Sequence, residues 1–90
     1  MGLARYFVLR HGEDWLVTLE GRTMARHRSR AVAVERAIIM ADLMGAMHHE
    51  ADVMMECRAG EPPELVWTYG RDPRPGQRSH VRQVQWAEAG

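Results

Sequence analysis

The sequence predicts an α+β domain in the order β-β-α-β-β, a small antiparallel sheet with one long helix packed on one face. Three observations carry that expectation. Two β-rich runs, RYFVLR and WLVTLEG, flank the short polar turn HGED. A proline-free stretch, RAVAVERAIIMADLMGAMHH, is rich in good helix formers. Two further short apolar runs, ADVMMEC and ELVWTY, are separated by RAGEPP.

In the first hairpin, Gly12 serves the turn, and period-two alternation puts Trp15, Val17 and Leu19 on one face and Leu16, Thr18 and Glu20 on the other. GRTMARHR then crosses to the helix, either as a short third strand or as an irregular loop. Ser29 is the expected N-cap, without a capping box because Val32 stands where Glu or Gln would reach back. The helix is expected to run to Met47 or His48. ADVMMEC places Val53, Met55 and Cys57 on one strand face, and the prolines of RAGEPP turn the chain into the last strand. The stretch VWTYGRDPRPGQ then ends the sheet. Gly70 permits an unusual backbone angle, Asp72 accepts turn N–H groups, and Pro73 and Pro75 cannot extend a ladder. This sets a single domain over residues 1–73 and a C-terminal tail over 74–90, where Val81, Val84 and Trp86 can dock on the body or be exchanged between chains.

Size and composition narrow the function classes. A 90-residue chain makes one domain with a modest core, burying roughly 60 to 65% of its unfolded surface, so a partner surface adds usefully to stability. The single cysteine, Cys57, allows neither an internal disulfide nor a cysteine zinc cluster, and fits a reducing compartment. The first residues lack a signal-peptide pattern and the longest apolar run carries Asp42, so a cytoplasmic protein without a membrane span is expected. Twelve basic residues, all arginine, balance twelve acidic ones, which gives the chain as a whole no attraction for nucleic acid or anionic lipid.

Helical spacing exposes a conflict. Glu35, Asp42 and His49 form a narrow polar line, whereas apolar residues cover an arc of about 260°, far more than the roughly 100° that packing on one sheet requires. The facet with Ala37, Ala41 and Gly45 permits close approach and suits the sheet. The facet with Val32, Ile39, Met40, Leu43 and Met47, interrupted by Arg36, is then the expected partner interface. Its expected occupant is a second copy, making a homodimer, with an intrachain cover by the tail as the competing account.

Candidate chemistry is sparse. Arg22, Arg26, Arg28 and Arg30 precede the helix without a carboxylate among them, and positive charge at a helix N-terminus favours a bound anion. Arg71, Arg74, Arg78 and Arg82 form a second basic strip. Nucleic-acid or anion binding through the clusters at 22–30 and 71–82 is therefore the alternative function, with a solvated basic loop as the plainer reading. His48, His49 and Glu50 do not make a metal site, because adjacent histidines point about 100° apart and suit the helix C-terminal dipole. No serine elbow, phosphate loop or spaced carboxylate pair is present, so no enzyme, cofactor or metal is expected.

Taken together, RYFVLRHGEDWLVTLEG, ADVMMECRAGE and YGRDP resemble a family of short bacterial domains of unknown function. Those domains have a Trp-x-Val second strand and a closing Tyr-Gly-x-Asp-Pro motif, matched here by Trp15, Val17, Tyr69, Gly70, Asp72 and Pro73. The resemblance spans about residues 5–73 and implies the β-β-α-β-β order, with no activity or catalytic residue attached.

Overall fold

The computed structural model describes residues 3–48 and 50–75, with the side chain of His48 excluded. Five strands and one helix follow in the order β1 (Ala4–His11), β2 (Asp14–Leu19), β3 (Arg22–His27), α1 (Arg30–His48), β4 (Ala51–Met55) and β5 (Glu64–Thr68). The strands form one sheet, β3-β2-β1-β4-β5, and α1 packs across one face of it. This is the expected α+β architecture with a third strand ahead of the helix.

That third strand is made by a two-residue turn. Leu19 pairs with Arg22, and the residues between them, Glu20 and Gly21, have φ of 54° and 82°. Positive φ at both positions matches the right-handed twist of the flanking strands. The extra strand also corrects the all-antiparallel expectation. β3 runs parallel to β1, so a chain that leaves β3 and returns through a helix comes back parallel to both. It lies beside β1, and β4 pairs with β1 in parallel while the other three pairings are antiparallel.

Ser29 caps the helix as expected, its Oγ accepting from Val32 N at 3.3 Å and its carbonyl from Ala33 N at 3.0 Å. The registers then separate the sheet into two faces. Tyr6, Val8, Val17, Val53 and Trp67 point toward the helix and form the core with Ala33, Ala37, Ile38 and Ala41. Small helix residues let backbone and sheet come close. At Gly45 the approach leaves no room for a side chain: an added Cβ would overlap the Tyr69 ring and lie 2.7 Å from its Cβ.

The end of the sheet is closed by the segment after β5. Trp67, 2% exposed, donates its indole N–H to Pro73 O at 3.0 Å. Asp72 Oδ2 accepts from Thr68 N at 2.7 Å and from Arg71 Nη2 at 3.0 Å. Arg74 then reaches back to the helix, where Nε and Nη2 donate to the two oxygens of Asp42 at 2.8 and 3.1 Å. Residues 69–74 are thus tied to the body by a ring–backbone contact, a carboxylate turn and a bidentate ion pair.

Candidate functional site

The helix presents a second stripe diametrically opposite its buried one. At 100° per residue, Val32, Ile39 and Leu43 lie within about 20° of the direction facing away from Ala41, and Met47 lies at the edge of the same row. Their exposures of 43, 37, 60 and 65% show that the described part of the chain leaves them open. Met40 departs from the expected facet: it sits nearer the sheet edge, half-buried, and packs on the core. Its helical position, about 100° from Ala41, lets a long flexible side chain fold back to the sheet. The interface row is therefore Val32, Ile39, Leu43 and Met47, with Glu35 along one edge and Arg36 interrupting it, in helical angle between Leu43 and Met47.

A second apolar surface is absent from the sequence-based expectation. Strand alternation and register bring Phe7, Leu9, Leu16, Thr18, Met54 and Leu65 onto the sheet face away from the helix. A solvated sheet face is ordinarily polar. Here the charged contribution at one end is the Arg5–Asp52 pair at 3.2 Å, and among the described residues no helix packs over this face. The signal was present in the alternation of β1, where both sets of positions are apolar.

The structure divides the first arginine cluster rather than gathering it. Arg26 and Arg28 both approach Asp14, each at 3.6 Å. Arg22 is exposed on the edge strand. Arg30 places its guanidinium 5.8 Å from the centre of the Trp15 ring. In the second strip, Arg71 pairs with Asp72 and Arg74 with Asp42, while Arg78 and Arg82 lie outside the described residues. The Arg74 guanidinium is held protonated still more firmly than usual, first by its hydrogen bonds to Asp42 and then by that carboxylate's charge.

Cys57 lies just beyond β4 rather than within it, with its thiol toward Met55 O at 3.8 Å. Desolvation and then the nearby Glu64 push its pKa up, which disfavours the reactive thiolate. Among the described residues no three His, Cys, Asp or Glu side chains are placed to hold a metal ion. His49 and the His48 side chain lie outside the described residues. No helix among those described is long and apolar enough to cross a membrane.

Compared with known protein families, curated proteins and solved structures, the chain matches none. The resemblance to short bacterial domains therefore rests on its motifs alone.

Proposed function

We propose that the protein is a cytoplasmic, non-catalytic interaction module that associates with a second copy of itself through the outer row of α1. The supporting observation is the exposure of Val32, Ile39, Leu43 and Met47 on the side of the helix opposite its own core. A helix needs one apolar stripe to hold it on a sheet, and this one carries two.

Size and charge favour a second copy as the occupant. The four side chains together expose the equivalent of about two whole side chains per copy. Covering them contributes about 3 to 6 kcal/mol per copy, or 6 to 12 kcal/mol per pair, against an association cost of about 4 to 15 kcal/mol. The two ranges overlap, so the row supports at most a reversible dimer and not a permanently locked one. Glu35 and Arg36 lie on opposite sides of its centre line at nearly the same height. Two parallel helices related by a two-fold axis along their length set Glu35 of each copy beside Arg36 of the other. The same patch is thus self-complementary in charge.

Light scattering across about 1 to 100 μM tests the reading, because a micromolar dimer gains mass over that range. A monomeric mass throughout would overturn it.

A further inference from the structure

We infer that a cavity beside the start of α1, lined by Arg10, Arg30, Arg58 and Trp15, is a binding site for phosphate or a phosphate monoester. The cavity has a volume of about 130 Å³, and Glu56, Cys57 and Ala59 complete its lining. Three chain segments build it: the end of β1 and start of β2, the first residue of α1, and the loop after β4.

The charge pattern carries the inference. Arg5, Arg26, Arg28, Arg71 and Arg74 each have a carboxylate partner. Arg10, Arg22, Arg30, Arg36 and Arg58 pair with none among the described residues, and three of these five, Arg10, Arg30 and Arg58, line this one cavity. Three arginines without an ion-pair partner thus share one concave place with a single carboxylate, Glu56. Two of them are held in position by the same ring: Arg10 and Arg30 lie 5.5 and 5.8 Å from the centre of Trp15. Stacking on an aromatic face leaves guanidinium N–H groups free to donate in the ring plane. Arg10 is further fixed by Nε donating to Gly12 O at 2.9 Å.

The one carboxylate in the lining, Glu56, accepts from Arg10 N at 3.2 Å, so one of its oxygens is turned to backbone, and three arginines outnumber its single charge. Three guanidinium groups offer more donors than the two oxygens of a carboxylate can accept, whereas a phosphate has three or four oxygens. The volume is large enough to admit a phosphate group. α1 has no acidic residue in its first turn, so nothing on the helix competes for the Arg30 charge.

The test is an NMR titration at low salt with inorganic phosphate, O-phosphoserine and AMP, against sodium chloride as control. The expected result is saturable shifts at the Trp15 indole and around Arg58 with a dissociation constant of about 1 mM or below, which chloride does not reproduce. Inorganic phosphate binding as well as the esters assigns the free ion, and tighter ester binding assigns the monoester. Arg30→Gln and Arg58→Gln should each weaken binding about tenfold, while Arg22→Gln, which lies outside the cavity, leaves it unchanged. No saturable shift, or equal loss in the Arg22 variant, overturns the assignment. The outcome is independent of whether the helix row dimerises.

Discussion

Leu43→Asp separates association from folding. Leu43 is 60% exposed and points away from the core, so its replacement removes little from the isolated fold. The intrinsic helix penalty of Asp is at most about 0.7 kcal/mol, worth a few degrees in melting temperature. In the pair the effect is much larger. Covering the exposed part of Leu43 contributes about 1 to 2 kcal/mol per copy, or 2 to 4 kcal/mol per dimer. Two carboxylates brought toward one two-fold axis add a desolvation penalty of several kcal/mol. A combined loss of about 5 kcal/mol or more raises the dissociation constant at least a thousandfold and leaves monomer at all accessible concentrations. Sedimentation equilibrium reports the mass, and circular dichroism at the same concentrations reports the fold. A folded Leu43→Asp protein with the mass of the parent dimer refutes the helix row as the contact. As a second arm, Glu35→Arg weakens the dimer by placing Arg against Arg36 of the second copy, and the double variant Glu35→Arg/Arg36→Glu restores it.

Three further variants probe the fold that holds these surfaces. Gly45→Ala drives a methyl into the Tyr69 ring and should cost about 1 to 3 kcal/mol, lowering the melting temperature by roughly 5 to 20 °C. Asp72→Ala leaves Thr68 N without its acceptor and should cost about 1 to 2 kcal/mol in chemical denaturation, with the Trp67 environment loosened in fluorescence. Tyr6 is 3% exposed and its phenol is raised above 10.0 by burial. The unfolded chain therefore releases this proton first, so stability is full below pH 10 and falls as pH rises toward the folded value, with a slope of at most about 1.4 kcal/mol per unit. Tyr6→Phe should flatten the part of the alkaline decline that belongs to this group, and an unchanged slope in denaturant titrations at pH 9 to 11 would assign the decline elsewhere.

Much of this architecture is legible in local chemistry. The hydroxyl of Ser29, the alternation of Trp15, Val17 and Leu19, and the small residues Ala37, Ala41 and Gly45 each place an element by short-range rules. The closing role of Gly70, Asp72 and Pro73 is likewise written in adjacent residues. β3 was obscured because Arg22, Arg26 and His27 dilute its β signal and because Met24 is the extra residue of a bulge that breaks the alternation. Helical angle alone does not register how far the Met40 thioether side chain bends toward the sheet. The cavity was invisible for a different reason. Arg10, Arg30 and Arg58 are far apart in the chain, and which arginines lack a carboxylate depends on partners such as Asp14, Asp42 and Asp52 that only the fold brings near.

The two apolar faces left without a covering element among the described residues constrain each other. The helix row and the sheet face of Phe7, Leu9, Leu16, Met54 and Leu65 lie on opposite sides of one thin layer of helix on sheet. If each joined a second copy about its own two-fold axis, every molecule would carry two isologous contacts, and the assembly closes as a tetramer only when those axes are perpendicular and meet. Axes that meet at about 60° or 45° close larger dihedral rings, and axes that do not meet continue into an open chain. The modest strength of the helix contact matters in that setting, because a reversible helix pair stacked on a second sheet contact gives concentration-dependent growth rather than a fixed dimer. The mass of Leu43→Asp distinguishes these cases: a monomer means that the helix row alone joins the copies. A dimer from a parent of twice that mass means that the sheet face holds the remaining pair, and Leu65→Asp on that variant should then release single chains.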